Sequence, residues 1–412
     1  MTHWSALWDE AEAREKALAF DPKRLDPDYL DNPYPWYHAL RDFDPVHRCP
    51  DGSWFLTRHA DVSGIYRDRR MSSDKTREFA PKFGDGPLYT HHTTSLVFND
   101  PPRHTRVRKL IQDAFTPRAL AALQPRIEAL VDGLLDRAEE AGSMDLVEDF
   151  AFALPVEVIS DILGVPRADR APLRDYSLKI LGALEPVISD AQLAAGNDAV
   201  AEFGGYLDGL IRHRRANPSD DETDILNAMV HGEVDGERLS HEELVQNCIF
   251  LLNAGHETTT NLVGNGVAAL LDNPAELQDL RANPELIRSA IEEFLRFESS
   301  NQLGNRRVTE AVEIGGVEMA EGDYIHLCIG GANRDPEAFP EPDRLDIRRQ
   351  PNRHLAFGGG IHICIGNTLA RMEGAVAVGR LVSRFPGLRR DGDFERGNRA
   401  RFRGFRRYPV SW

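Results

Sequence analysis

The sequence predicts a mainly α-helical fold with a small β region, which is an α+β class. Between Pro117 and Arg214, apolar residues recur at helical spacing over three or four segments. A capping box from Ser240 to Glu243 opens a helix that is predicted to reach about Asp272. Strand signals are shorter, as in the hairpin predicted around Asp51-Gly52. Helices are therefore expected to carry most of the fold.

No boundary between domains is visible in the sequence. At 412 residues, of which 41% are hydrophobic and 28% charged, the chain is long enough for two or three domains. However, no Ser/Gly linker, low-complexity run or internal repeat separates one part from another. We therefore predict a single domain over residues 1–412.

Charge and cysteine usage exclude several classes of protein. The net charge of −17, from 49 basic and 66 acidic residues, argues against nucleic acid as a partner. No Cys-x-x-Cys pair is present that could hold zinc or an iron-sulfur cluster. The N-terminus lacks the apolar stretch of a signal peptide, and no run approaches the roughly 18 apolar residues of a membrane helix. We expect a cytoplasmic protein with reduced thiols and no membrane contact. The four cysteines are Cys49, Cys248, Cys328 and Cys364.

The N-terminal region predicts a succession of short elements. A turn from Asp31 to Pro35 leads into a helix from Trp36 to Arg41. A hairpin follows, with strands from Val46 to Cys49 and from Trp54 to Thr57. A further helix is predicted from His59 to Asp68.

The stretch from Arg77 to Asn99 loses periodicity, which predicts a long loop of the kind that often lines a binding site. His91-His92 leaves a metal site open as an alternative, although adjacent side chains rarely face one ion. Asp100-Pro101-Pro102 is then predicted to start a helix with proline in its first turn. His104 and Arg108 lie four residues apart, on one face of that helix.

The long helix after Ser240 contains a group of small and polar residues, Ala254 to Thr259, reading Ala-Gly-His-Glu-Thr-Thr. Small residues let a flat ligand lie against the helix, and a threonine hydroxyl can bond the carbonyl one turn earlier and open a groove. His256-Glu257 also begins like a zinc-protease motif, but Thr260 stands where the second histidine would be needed. A polar cap on a core helix is the alternative interpretation.

Two further features follow this helix. Glu293 and Arg296 stand three residues apart in a predicted helix, a spacing that is common on helix surfaces. A strand is predicted at Val308 to Thr309, followed by a hairpin that turns at Gly315-Gly316.

The stretch from Phe357 to Gly366, Phe-Gly-Gly-Gly-Ile-His-Ile-Cys-Ile-Gly, surrounds one cysteine with glycines and apolar residues. Backbone amides can approach the sulfur of Cys364 closely there, and such hydrogen bonds tune a metal-bound thiolate. A helix through Arg371 to about Phe385 would place its positive end near that thiolate. The alternative is a Gly-rich turn beside a buried free cysteine.

This cysteine stretch resembles the haem-binding loop of the cytochrome P-450 superfamily. The pattern of that loop is Phe-x-x-Gly-x-(Arg or His)-x-Cys-x-Gly, where x is any residue. Ala254 to Thr259 resembles the acid-threonine motif of that family, and Glu293 to Arg296 its Glu-x-x-Arg. The motifs occur in the order and spacing of the family, over about residues 30 to 410. The resemblance implies the cytochrome P-450 fold, with a long central helix over the haem and a cysteine-ligand loop beneath it.

The resemblance also implies roles for individual residues. The axial ligand of the haem iron would be Cys364, and the catalytic proton donors would be Glu257 and Thr258. Contacts to haem b are expected from His104, Arg108, Ala254, Arg306, Phe357, His362 and Gly366. A buried structural network is expected from Glu293, Arg296 and Arg344. The substrate pocket is expected to include Leu96, Val97, Phe250, Asn253, Ala254, Asn301 and Leu303, with Tyr176 to Val187 as its roof.

The implied activity is monooxygenation, in which one oxygen atom of O2 enters a small or medium organic substrate by hydroxylation or O-demethylation. Electrons would come from a ferredoxin and a flavin-dependent NAD(P)H ferredoxin reductase. An H2O2-dependent peroxygenase and a non-catalytic haem-thiolate sensor or binding protein are the alternatives. An acidic electron donor is expected to bind a positive patch on the protein. The alternative is that the basic residues of this patch form an ordinary solvated face. They are Arg103, Arg106, Arg108, Lys109, Arg348, Arg349, Arg353 and Arg371.

Overall fold

Helices account for most of the computed structural model, which describes residues 3–112, 115–221 and 224–412. The α-helices are α1 (Glu10–Leu18), α2 (Pro27–Asp31), α3 (Tyr34–Phe43), α4 (His59–Ile65), α5 (Thr76–Phe83), α6 (Pro87–Thr94), α7 (Arg103–Gln112), α8 (Pro117–Ala141), α9 (Ala153–Ile162), α10 (Leu173–Gly182), α11 (Asp190–Ala216), α12 (Ile225–His231), α13 (His241–Asp272), α14 (Pro274–Ala282), α15 (Ile287–Phe297), α16 (Ile329–Ala332) and α17 (Asn367–Arg384). A π-helical segment, Leu146–Ala151, precedes α9. Short 3-10 turns include Leu96–Phe98 and Gly360–His362.

The strands are short and form small sheets. They are β1 (Val46–Arg48), β2 (Trp54–Leu56), β3 (Met71–Ser72), β4 (Ser143–Asp145), β5 (Leu303–Val308), β6 (Val312–Ile314), β7 (Val317–Met319), β8 (Tyr324–Cys328), β9 (Arg389–Arg390), β10 (Glu395–Arg396), β11 (Phe405–Arg407) and β12 (Pro409–Ser411). The largest sheet has the order β1-β2-β8-β5-β3, in which β2 and β8 run parallel and the other pairs antiparallel. The predicted α+β class is confirmed.

The five-stranded sheet separates two clusters of buried side chains. Because side chains alternate along a strand, Phe55 and Leu56 point to opposite faces. Leu56 packs with Leu327 in one cluster, and Phe55 packs with Leu303 and Cys328 in the other. The largest cluster lies among the helices and includes much of α13.

Helix α13 begins with a capping box. The Ser240 hydroxyl accepts a hydrogen bond from the Glu243 amide at 3.1 Å, and the Glu243 carboxylate accepts one from the Ser240 amide at 2.9 Å. Farther along, a Cβ at Gly266 would stand 2.6 Å from the ring of Phe294, so glycine there lets α15 approach closely. The predicted helix and its capping box are confirmed.

The loop predicted from Arg77 to Asn99 is wrong, because α5, α6 and a 3-10 turn occupy that stretch. Phe79 and Phe83 lie one turn apart in α5 with ring centroids 5.0 Å apart, and the Phe79 ring packs edge-on against Phe98 at 5.1 Å. Burying these rings stabilises the short helices. Their glycine, threonine and histidine residues interrupt the helical spacing of apolar residues, so the sequence pattern does not reveal them.

Two other boundaries differ from the prediction. The strand placed at Val308 to Thr309 begins earlier, at Leu303, because pairing with β8 extends it over six residues. The prolines at 101 and 102 precede α7, which begins at Arg103. The hairpins at Asp51-Gly52 and Gly315-Gly316 are confirmed.

Candidate active site

The cysteine loop adopts a conformation that two of its glycines require. Gly358 and Gly360 have φ of 68° and 63°, in the left-handed region that strongly favours glycine. A Cβ at Gly360 would also stand 2.0 Å from the carbonyl oxygen of Tyr66. The loop closes on itself because the Cys364 amide donates to the Phe357 carbonyl at 3.0 Å. The glycine-rich sequence therefore reflects both backbone conformation and close packing.

Burial raises the pKa of the Cys364 thiol, although a hydrogen bond from the Gly366 amide and the charges of Arg108 and Arg371 oppose that rise. A cation close to the sulfur would be needed to hold it fully as a thiolate. The Phe357 ring lies beside the loop with the Arg371 guanidinium 4.5 Å from its centroid. The loop thus presents one buried sulfur, with amide and guanidinium groups positioned to stabilise its negative charge.

A cavity of about 310 Å³ lies between α13 and the cysteine loop. Thr258 and Cys364 both line it. So do the residues expected to contact haem, namely His104, Arg108, Ala254, Arg306, Phe357, His362 and Gly366. Of the expected pocket residues, it is lined by Leu96, Val97, Phe250, Asn253, Ala254 and Asn301, and Leu181 and Leu184 from the expected roof also contribute.

One side of this cavity concentrates basic groups. The rings of His104 and His362 lie 4.0 Å apart between centroids, and neither nitrogen of the buried His104 has a hydrogen-bond partner among the described residues. Burial and Arg108 lower the pKa of His104 to about 4. The Arg108 guanidinium donates to the Ile363 carbonyl at 2.7 Å, and that of Arg306 lies 5.1 Å from the Tyr66 ring centroid. Basic groups gathered in this way, with the unpaired nitrogens of His104 among them, fit the carboxylates of a haem.

On α13, the Thr258 hydroxyl donates to the Ala254 carbonyl at 2.7 Å. Asn253 is 2% exposed, and neither polar atom of its side chain has a partner among the described residues. Small residues at 254 and 255 leave the cavity-facing surface of the helix flat. Thr258 therefore faces the same space as Cys364, with a hydroxyl that can exchange its helix bond for one to a ligand.

Glu257, the other expected proton donor, is not among the residues that line the cavity. Its carboxylate forms an ion pair with Arg399, and its Oε2 has no partner within the described chain. Burial raises the pKa of Glu257, and Arg399 opposes that rise. The neighbouring His256 packs edge-on against Phe152, with centroids 4.6 Å apart. Glu257 would have to leave Arg399 to reach the cavity.

The structural network differs from the prediction in its third member. Glu293 and Arg296 are completely buried and paired at 2.7 Å, as expected, but Arg349 completes the network with its Nε 3.2 Å from both Glu293 oxygens. The side chain of Arg344 is 59% exposed and pairs with Glu341, while only its backbone carbonyl accepts from Arg296. The irregular segment over residues 340–349, called the meander, curls so that the later arginine points inward.

Leu303 is likewise misplaced by the sequence prediction. It stands opposite Cys328 in the sheet, and its side chain belongs to the cluster around Phe55, outside the cavity. Because side chains alternate along a strand, a one-residue difference in register exchanges the two faces of the sheet. The neighbouring backbone of β5, from Gly304 to Arg306, lines the cavity instead.

The alternative of a metal site at His91-His92 is not supported, since no cluster of three metal-ligating side chains occurs in residues 3–112, 115–221 and 224–412. His91 bonds Gln246 at 3.0 Å, and His92 packs among phenylalanine rings. All four cysteines are free.

Several side chains that shape the site carry no motif by which the sequence could reveal them. Arg399 lies far along the chain from its partner Glu257, and Lys75 and Arg401 reach the cavity from segments without a recognisable pattern. Glu373 differs from these residues, because a sequence signal could have found it. It lies on α17 one helical turn after Ala370, so the two residues share the helix face that lines the cavity.

Glu373 is expected to make stability depend on pH. Burial raises its pKa to about 8, and its Oε2 has no partner in the described part of the chain. Between about pH 4.5, the ordinary value, and pH 8, only the folded state keeps this proton. The contribution of Glu373 to the free energy of unfolding should therefore be greatest below that window and fall by up to about 1.4 kcal/mol per pH unit across it.

Glu373→Gln should remove this part of the pH dependence. Urea unfolding at pH 5, 6, 7 and 8 measures it, and Glu321→Gln, which alters an exposed carboxyl, is the control. Equal pH slopes for the wild type and Glu373→Gln would contradict a buried neutral carboxyl at this position.

Comparison with known proteins agrees with this geometry. The family model described as cytochrome P450 matches residues 69–393. The vitamin D(3) 25-hydroxylase of Pseudonocardia autotrophica is 43% identical over 364 residues, covering 87% of this chain and 88% of that protein. The cytochrome P450 monooxygenase PikC of Streptomyces venezuelae is 39% identical over 399 residues, covering 94% and 93%.

Solved structures show the same fold. The structure of P450BioI in complex with a hexadec-9Z-enoic acid-ligated acyl carrier protein superposes with a TM-score of 0.89 at 35% identity, covering 94% of this chain and 100% of that one. Fold and cavity thus define a class of haem-iron enzymes. The chain belongs to the cytochrome P450 family, and it is a monooxygenase, an oxidoreductase.

Among the helices of the described residues, none has both the length and the apolar character needed to cross a bilayer.

Proposed function

We propose that this enzyme binds haem b through Cys364 and uses O2 to hydroxylate or O-demethylate a small or medium organic substrate. The observation that carries the proposal is the convergence of the Cys364 sulfur, a group of buried basic side chains and the Thr258 hydroxyl on one cavity. We further propose that residues 1–412 form one haem-thiolate domain, which the packing of α13 against elements from both halves of the chain supports.

The bound haem would supply the activation of dioxygen, which no amino-acid side chain provides. Cys364 would hold the iron as its thiolate, with the Gly366 amide and the charges of Arg108 and Arg371 stabilising the negative sulfur. His104, Arg108, Arg306 and His362 would orient the carboxylates of the cofactor.

Thr258 and Glu257 would control protons on the opposite side of the cavity. Thr258 holds its proton at a hydroxyl that faces the cavity, and Glu257 is a buried carboxyl restrained by Arg399. Movement of the Glu257 carboxyl group from Arg399 into the cavity would carry protons from the exterior to the Thr258 hydroxyl. The flat surface at Ala254 leaves room for a small ligand beside that hydroxyl.

Thr258→Ala is expected to uncouple electron use from product formation. With its proton donor lost, the enzyme should still consume NAD(P)H but convert roughly 10- to 100-fold less of it into product, releasing hydrogen peroxide instead. Product, peroxide and NAD(P)H are measured in the same reaction.

Thr260→Ala is the matched control for this variant. The Thr260 hydroxyl also bonds a carbonyl four residues earlier on α13, at 3.1 Å, but Thr260 does not line the cavity. Its variant should remain coupled. Equal uncoupling by both variants would show that helix structure, and not the hydroxyl in the cavity, is responsible.

Electrons are proposed to come from a ferredoxin and a flavin-dependent NAD(P)H ferredoxin reductase. Beside Cys364, Ile361 and Ile363 are 56% and 44% exposed, which supports a partner that docks at this loop. The positive patch expected there is partly neutralised, since Arg106 pairs with Glu243, Arg348 with Asp279 and Arg371 with Glu292. Arg349 is buried in the Glu293 network.

Turnover in labelled dioxygen tests the proposed function. The haem-loaded protein is supplied with NADPH, a ferredoxin and its reductase, and products from a panel of aromatic and terpenoid compounds are analysed by mass spectrometry. One labelled oxygen atom per hydroxylated product is the expected result. Product formed from hydrogen peroxide but not from dioxygen would identify a peroxygenase, and ligand binding without product would identify a sensor or binding protein.

A further inference from the structure

More cationic side chains line the cavity than the two carboxylates of a haem require. Among the described residues that line it, Glu373 is the one carboxylate, and burial keeps Glu373 protonated at neutral pH by raising its pKa to about 8. The cationic side chains that line it are Lys75, Arg108, Arg306 and Arg401, and the histidines that line it are His91, His92, His104 and His362. In a protein of net charge −17, so basic a cavity indicates an anionic occupant.

Four of these basic residues would account for the two carboxylates of the cofactor. His104, Arg108 and His362 lie together at the cysteine loop, and Arg306 lies beside Tyr66, which packs on the same loop. Lys75 and Arg401 are then left without an anion.

Lys75 immediately precedes α5 and is 1% exposed. Its ammonium group has no hydrogen-bond partner among the described residues and lies 4.9 Å from the centroid of the Tyr324 ring. The nearby carboxylate of Glu78 is already paired with Arg307 at 3.0 Å. Burial, together with the charges of Arg306, Arg307 and Arg401, lowers the pKa of Lys75 to about 7. A buried ammonium without an acceptor is costly unless a ligand supplies one.

Arg401 approaches the same region from the C-terminal part of the chain. It forms no ion pair within residues 3–112, 115–221 and 224–412, and its buried Nε lacks a hydrogen-bond partner there. The charge of Arg401 acts on the carboxylate of Glu185, but that carboxylate accepts its hydrogen bonds from the backbone amides of Ala400 and Arg401, at 3.1 and 3.3 Å. The Arg401 guanidinium thus remains available for a ligand.

We propose that Lys75 and Arg401 bind the carboxylate of the substrate, so that the enzyme acts on an organic acid. This inference rests on the proposed function and names the substrate class of the same cavity. The apolar body of the acid lies against Leu96, Val97 and Phe250, which line the cavity on α13 and on the segment before α7. An ammonium and a guanidinium together make charge-assisted hydrogen bonds that a neutral analogue cannot make.

The test compares acids with their neutral amides in the haem-loaded protein. The probes are 4-ethylbenzoate with 4-ethylbenzamide and octanoate with octanamide, titrated at pH 6.5 while the spin-state shift of the Soret band is followed. The wild type should bind at least one acid more tightly than its amide. Lys75→Met should weaken that acid by roughly 10- to 100-fold and leave the amide within about threefold.

Lys82→Met is the matched control. Lys82 lies on α5, but its ammonium already donates to the Glu185 carbonyl at 2.5 Å, and it does not line the cavity. Its variant should keep the wild-type preference for the acid. Arg401→Gln provides a second variant of the proposed anchor and should also reduce that preference.

Three results would overturn the proposal: no preference of the wild type for any acid, equal weakening of acid and amide by Lys75→Met, or the same loss in Lys82→Met. Haem content is measured in parallel. If Lys75→Met releases haem, Lys75 holds a cofactor carboxylate and the inference is wrong. A wild-type protein without a thiolate-haem spectrum would instead contradict the proposed function, so the two failures are distinguishable.

Discussion

Cys364→Ser is expected to abolish monooxygenase activity and the carbon monoxide absorption band that is characteristic of a thiolate-ligated haem. A serine hydroxyl does not ionise at neutral pH, so it cannot replace the electron donation of a thiolate to iron. The loop should survive the change, because its closure depends on the Cys364 backbone amide and on Gly358 and Gly360. Activity should fall to the level of the protein without haem.

Cys49→Ser is the control for this prediction. Cys49 is also buried, at 3% exposure, and burial raises its pKa to about 11, but it lies outside the cavity. Its variant should keep both the band and the activity. The carbon monoxide difference spectrum and turnover are measured for the three proteins. A thiolate-type band in Cys364→Ser would assign the iron ligand to another residue.

Glu293→Ala is expected to destabilise the fold by about 3–5 kcal/mol, because it leaves the fully buried Arg296 without its countercharge. Glu293 also accepts from the Asp346 amide at 2.9 Å and from the Asn352 side chain at 3.1 Å. Its loss would therefore release the segment that leads into the cysteine loop, and haem retention should fall with stability. Urea unfolding and haem content are the measurements.

Two arginine variants test the assignment within this network. Arg349→Ala should cost roughly 2 kcal/mol, because its guanidinium makes charge-assisted bonds to Glu293 and is 8% exposed. Arg344→Ala should change stability by less than about 0.5 kcal/mol, because that side chain is in solvent. The reverse order of the two effects would restore Arg344 as the third member of the network.

Local sequence patterns predicted those parts of the enzyme that are stabilised by interactions between residues close together in the sequence. The capping box at Ser240 depends on residues three apart, and the hairpins depend on short turns. The cysteine loop follows the same rule, because Gly358 and Gly360 are required by backbone conformation at their own positions. Motif order then indicated the family before any contact was known.

The predictions that failed depended on where separate segments meet. Arg344 and Arg349 are both arginines of one meander, and only the path of that backbone decides which of them reaches Glu293. Leu303 was assigned to the cavity, but its pairing with Cys328 points it to the opposite face of the sheet. The helices between Arg77 and Asn99 depend on ring packing that no short pattern records.

The sequence by itself therefore predicted the mainly helical fold, since helical spacing and caps depend on neighbouring residues, and the resemblance of its motifs to a family indicated the cysteine that would hold iron and the threonine on the central helix. Only the tertiary structure decided that Glu257 pairs with Arg399 and that Lys75 and Arg401 share a cavity with Cys364. Such pairings join residues more than a hundred positions apart. Their energies depend on burial and distance, which exist only once the chain is folded.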